Sequence, residues 1–241
     1  MVSDPHEPIL AKTPVSGMER SSTSNTGKFR LAEDGSLEGD VVTSYAGLAA
    51  VSNQPSEGGS RGSILGAEGK SGSEEAFRRA LSSRMPSAEV SGVSIISETE
   101  SSKPIEYSYH LRIPGYATRT DKGLSVAPAV FQRGISARLS QQERRYDVCF
   151  DYPWSESDNI TIDLPSGYAP DSAGMQTPIG MGRNGDYQAQ MSIAKVLGST
   201  RLVYSRRFAF GGIRVPVAQY SALKSTFDAI HEADAYTVTL R

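Results

Sequence analysis

Cysteine occurs once in this sequence, at Cys149, and histidine three times, at His6, His110 and His231. A single thiol excludes an internal disulfide and every metal motif built on several cysteines. The histidines are too scattered for a short ligand motif such as two of them four residues apart on one helix. No stretch approaches the ~18 consecutive apolar residues of a membrane span. The opening, MVSDPHEPIL, has no basic segment followed by an apolar one, so no secretory signal is read there. A formal net charge of −2 argues against a nucleic-acid binder, which would present a basic face. No cofactor motif is found, and the compartment is left open.

What the sequence does have is a two-residue rhythm. In PIEYSYHLRI (104–113), Ile105, Tyr107, Tyr109, Leu111 and Ile113 alternate with Glu106, Ser108, His110 and Arg112. Successive side chains of an extended strand point to opposite faces, so this segment reads as a strand with one dry side. The rhythm returns in Tyr146–Tyr152 and Leu202–Phe210. The fold class expected is mainly β with a few helices (α+β), built from antiparallel sheets, with a β-sandwich-like C-terminal unit.

Residues 1–27 are rich in Ser, Thr and Pro and read as a flexible lead-in. A β-rich unit with one helix is expected over 28–140, and a β-sandwich-like unit closing on a helix and a strand over 141–241. In the first, Asp34-Gly35 between apolar runs signals a hairpin. Ser71-x-x-Glu74 reads as a capping box opening a helix with Phe77, Ala80, Leu81 and Met85 on one face, ended by Pro86. Ile64 and Leu65 punctuate a loop, and Val90, Val93, Ile95 and Ile96 suggest a strand. In the second, strands are expected near 145–153, 159–164, 187–194 and 200–210, with a hairpin signal at Asn184-Gly185. A helix is expected over 216–234, its inner face carrying Val217, Tyr220, Leu223 or Lys224, Phe227 and Ile230, and then a strand through Tyr236, Val238 and Leu240.

Each candidate for chemistry has a plainer structural reading. Cys149 lies mid-strand with no histidine near it in sequence, which favours a structural thiol over a nucleophile. Gly180–Gly185 fits G-x-G-x-x-G by letter, but a strand-like stretch follows where a dinucleotide site needs a helix. Asp147, Asp151, Asp158 and Asp163 could share acid–base work or bind a hard cation, yet no calcium-loop spacing is present. Asn159-Ile160-Thr161 is a glycosylation triplet by letter. The strand holding Arg201, Arg206 and Arg207 with Tyr204, Phe208 and Phe210 mixes cations with aromatics. Alternation accounts for most of it, and Arg206 falls in phase with the aromatics, at a rim or paired with a buried acid. As a site for peptide or glycan, its residues would be Tyr204, Arg206 and Phe208.

Four segments taken together carry a family resemblance: 13–47 (TPVSGMERSSTSNTGKFRLAEDGSLEGDVVTSYAG), 107–131, 144–168 and 202–240. They resemble the C-terminal region of large, mostly bacterial proteins with a transglutaminase-like, papain-like core. The resemblance implies β-domains of unknown function that follow such a core. It also implies that catalysis belongs to a Cys-His-Asp triad outside this sequence, so no catalytic residue carries over. The function it implies is a non-catalytic accessory module, and the partner an upstream transglutaminase-like domain or protein. Periplasmic or extracellular placement is allowed by it.

Overall fold

A computed structural model of the chain describes residues 16–53, 70–95, 104–171, 176–196 and 198–241, with the side chains of 70–73 and 196 outside the description. His6, Ile64, Leu65, Ile96 and the capping side chain of Ser71 therefore lie outside the described residues, as do 1–15 of the expected lead-in.

Strands β1 (Ser22–Leu31) and β2 (Leu37–Tyr45) make the hairpin expected at Asp34-Gly35, with Leu31 opposite Leu37. Asp34 Oδ1 accepts the Ser36 backbone N–H at 2.8 Å and its hydroxyl at 2.6 Å, which closes the turn. Gly35 takes φ 85°, a conformation that glycine adopts without steric cost. A short helix, α1 (Leu48–Ser52), and a longer one, α2 (Lys70–Arg84), come next. Phe77, Leu81 and Met85 recur at helical spacing and are buried, while Ala80 is exposed. Then come β3 (Glu89–Ile95), β4 (Ile105–Ile113), β5 (Thr118–Thr120) and β6 (Gly123–Val126).

The second half contributes β7 (Val148–Cys149), β8 (Trp154–Asp163), β9 (Ile179–Gly180), β10 (Gly185–Val196), β11 (Ser199–Phe210) and β12 (Arg214–Val215). It closes with α3 (Tyr220–Asp234) and β13 (Val238–Leu240). Helix α3 buries Tyr220, Leu223, Phe227 and Ile230, and Val217 stays outside it in a preceding 3-10 turn, 39% exposed.

Eight strands form one sheet in the order β3-β4-β2-β1-β8-β11-β10-β9. Every neighbouring pair is antiparallel except β1 and β8, which run parallel from Ser22–Ser155 to Arg30–Asp163. The chain is thus mainly β with a few helices, an α+β, sandwich-like fold as expected, its pairing antiparallel apart from this one parallel pair. Residues on both sides of the expected boundary at 140/141 belong to this single sheet. Strand β1 also starts six residues before Lys28, inside the expected lead-in. Its first half is polar and is held by pairing on both sides rather than by apolar alternation. The strand expected over 145–153 shrinks to β7, whose only strand partner among the described residues is the two-residue β12.

One face of the sheet is covered. Helix α2 lays Phe77 flat on Tyr107, with ring centroids 4.2 Å apart. Helix α3 inserts Phe227 among Phe150, Phe208 and Phe210, at 5.1–6.2 Å for the Phe150 and Phe227 contacts of that group. A three-stranded sheet, β13-β6-β5, contributes buried Leu124, Val126, Val238 and Leu240. Burying each large apolar side chain contributes ~1.5–3 kcal/mol before conformational entropy is subtracted.

Candidate functional site

The covered face is largely apolar and is crossed by a band of polar side chains. Strand parity puts Asn25, Phe29 and Leu31 inward on β1, Asp158, Ile160 and Ile162 on β8, and Leu202, Tyr204, Arg206 and Phe208 on β11. Register then lines up Thr43, Asn25, Asp158 and Arg206 as a polar row across four adjacent strands. The row is linked throughout. Tyr109 Oη and Thr43 Oγ1 lie 3.1 Å apart, and Thr43 Oγ1 donates to Asn25 Oδ1 at 2.9 Å. Asn25 Nδ2 donates to Asp158 Oδ1 at 2.8 Å, and Gln132 Nε2 to Asp158 Oδ2 at 2.9 Å.

Arg206 ends the row and is 5% exposed. Its guanidinium grips Asp234, at the end of α3, by two bonds of 2.7 and 2.9 Å. It donates to Glu156 Oε2 at 3.0 Å and stands 3.9 Å from Asp158. Burial works against its charge, but the three carboxylates, Asp234 foremost, outweigh burial and hold it charged above the ordinary range. Asp158 goes the other way from an ordinary acid. Burial pushes its carboxyl up, and Arg206, Asn25 and Gln132 only partly oppose that shift. The Tyr187 hydroxyl donates a hydrogen bond to Asp234 Oδ1 at 2.9 Å, and burial followed by the Asp234 charge raises its phenol. Tyr204 Oη is buried with no hydrogen-bond partner among the described residues.

Beside this row lies a cavity of about 410 Å³. Thr23, Asn25 and Glu156 line it from neighbouring strands, and Phe131, Tyr152 and Trp154 add aromatic surface. The Arg138 guanidinium lies 4.6 Å over the Trp154 ring and 3.4 Å from Glu156. Glu156 Oε1 also accepts from Trp154 Nε1 at 3.0 Å, so both its oxygens are engaged. Arg84 borders the cavity from the last turn of α2 and is exposed. The size falls in the range of small-ligand pockets.

The residues singled out for ligand contact do not form a groove. Tyr204, Arg206 and Phe208 are all buried on the covered face, where Arg206 is spent on acids. Arg201 and Arg207 fall on the opposite face, Arg201 paired with Asp163 at 2.6 Å. Cys149 is exposed and lines the cavity, but no described histidine lines it with Cys149. His110 sits on the open face between Asp40 Oδ1 at 2.8 Å and Glu38 Oε1 at 3.0 Å. His231 borders a separate cavity near Asp234 and Tyr116.

The acidic set is dispersed as well. Asp147 accepts from Arg214 Nε and the Val217 N–H, both of which lower its carboxyl, the backbone donor first, so it anchors the start of the C-terminal helical segment. Asp158 points inward and Asp163 outward. Among the described residues no group of three or more His, Cys, Asp or Glu is placed to hold a metal ion. Gly180–Gly185 forms the turn between β9 and β10, with no helix opening at its last glycine. Asn159 of the glycosylation triplet is exposed on β8.

Asn25, Gln132, Glu156 and Asp234 were missed by sequence reasoning. A signal existed for Asn25, which shares the phase of Phe29 and Leu31 and so is a polar residue in an inward register. Gln132 and Asp234 carry no such mark, because they reach the row from a 3-10 turn and a helix end.

A DUF3858 domain, a domain of unknown function, is found over residues 122–240. It spans β8 to β11, half of the main sheet, together with α3 and the small β13-β6 pairing. Nothing in that match links the domain to transglutaminase-like proteins. No curated protein and no solved structure matches the chain.

Proposed function

We propose that this chain is a non-catalytic structural module that serves as an accessory to a transglutaminase-like protein. The observation that carries this reading is the Arg206 cluster. Glu156, Asp158, Asp234 and the Tyr187 phenol are bound within the cluster, and the lone thiol lines a cavity that no described imidazole lines. The segment resemblance over 13–47, 107–131, 144–168 and 202–240 supplies the partner class. The test is turnover by the purified chain on amide, peptide and crosslinking substrates. No turnover is expected. Activity that disappears in Cys149→Ala would overturn the reading. The accessory role is tested separately by co-purification with a transglutaminase-like core expressed on its own.

A second reading is a binding module for peptide or glycan. The cavity favours it, since aromatic surface, an arginine over an indole and strand-borne polar groups converge there. Its contacts would be Arg138 and Tyr152 rather than the buried Tyr204, Arg206 and Phe208. Glycan and peptide arrays check it: specific binding lost in Arg138→Ala and Tyr152→Ala supports the site, and an absence of specific binding removes it.

A further inference from the structure

The two edges of the main sheet are built differently. Edge strand β3 is interrupted, with a register shift against β4 between Ser91 and Ser94 and Gly92 at φ 60°. A bulge of this kind blunts an edge against further strand pairing. At the other end β9 covers only Asp186 and Tyr187 of β10. Beyond that, Gln188–Val196 has β11 on one side and no strand on the other among the described residues. This open edge has no bulge and no proline, and its one charged residue is Lys195. Alternate residues of such a strand aim N–H and C=O groups outward, and another extended backbone is their natural complement. Ile193 lies here, 40% exposed, the one exposed large apolar side chain on the main sheet among the described residues.

We infer that this edge pairs with the same edge of a second copy of the chain, extending the sheet across a two-fold axis. The axis position follows from what is already occupied. Strand β9 ends the free length at Tyr187 and β10 itself ends at Val196, so the midpoint of the free segment is Ser192. A dyad perpendicular to the sheet must pair residues of equal parity to keep each face on its own side. Centring on Ser192 satisfies that condition. Ser192 then faces Ser192 of the second copy, Met191 faces Ile193, Gln190 faces Ala194 and Ala189 faces Lys195. No charge meets a like charge, and the exposed Ile193 gains an apolar neighbour on each side of the axis.

Sedimentation velocity of the 241-residue chain, from low micromolar to hundreds of micromolar, tests this. A concentration-dependent dimer is expected. Ser192→Lys, a change at an exposed side chain, sets two ammonium groups face to face and should weaken the dimer by about tenfold or more. Its circular dichroism and melting temperature report whether the fold is kept. In a Cys149→Ala background, Ser192→Cys should oxidise to a disulfide-linked dimer, because opposed residues have Cβ atoms ~4.5–5.5 Å apart, near the disulfide range. Gln188→Cys, whose opposite position is Val196, should not. A chain that stays monomeric throughout, or a dimer indifferent to Ser192→Lys and uncrosslinked by Ser192→Cys, would overturn the inference.

Discussion

The two faces of the main sheet each carry a row of polar residues across the same central strands. On the open face, Glu89, Arg112, Glu38, Arg30, Asp163 and Arg201 stand in register over six strands, alternating in sign. Arg112 meets Glu89 at 3.0 Å, and Arg201 meets Asp163 at 2.6 Å. On the covered face the row is Thr43, Asn25, Asp158 and Arg206. Both rows follow from strand alternation, and they differ in solvent. Water screens the outer ladder, so its pairs organise the surface and add little stability. The inner row has lost its water, so each group depends on its protein partners and removing one leaves the others exposed to the full desolvation cost.

That contrast can be broken most strongly at Arg206. Arg206→Met leaves Glu156, Asp158 and Asp234 without their shared cation, and should cost ~3–5 kcal/mol. Urea unfolding reads it as a lowered midpoint at unchanged slope.

Asp158→Asn is the next largest. Its amide nitrogen would face one of the two donors, Asn25 or Gln132, at a cost of ~1–3 kcal/mol. It also tests the sign of the pH effect. Burial raises Asp158 above its ordinary 3.8, so between that value and the raised one the native state binds the extra proton. Its contribution to stability is therefore largest at low pH and falls as pH rises through the raised value. The stability advantage of the unmodified chain over Asp158→Asn should narrow across that window.

His110 gives a smaller effect on the open face. Asp40 and then Glu38 raise its imidazole by hydrogen bonding. Its stabilisation is fully present below the ordinary 6.5 and is lost as pH rises through the raised folded value. Because the group is partly solvated, His110→Asn should remove less than ~1 kcal/mol. An NMR titration of the imidazole locates the midpoint. The smallest effect belongs to Glu89 and Arg112, whose double-mutant cycle should show a coupling that high salt erases.

Much of this architecture was legible in residue order. The alternation of 105–113 maps onto β4 throughout, Asp34-Gly35 turns as its chemistry dictates, and the stripe of Tyr220, Leu223, Phe227 and Ile230 is the buried face of α3. The parallel joining of β1 to β8 was not legible. Periodicity specifies which side of a strand is dry, and carries no label for a neighbour more than a hundred residues away. The candidate site was less legible still. Tyr204, Arg206 and Phe208 were picked out for their chemistry, and Arg206 for its phase, but the acids that engage it come from β8 and from the end of α3.

The order of residues alone settled the alternating stretches such as 105–113 and 202–208 with their wet and dry sides, the buried stripes of the two longer helices and the want of a multi-cysteine centre, because these depend on local geometry and on side-chain count. Only the assembled sheet decided which polar side chains lose their water, which strands close it and which edge stays open. Those outcomes depend on distances between segments far apart in the chain, and burial changes the energy of a charge far more than its identity does.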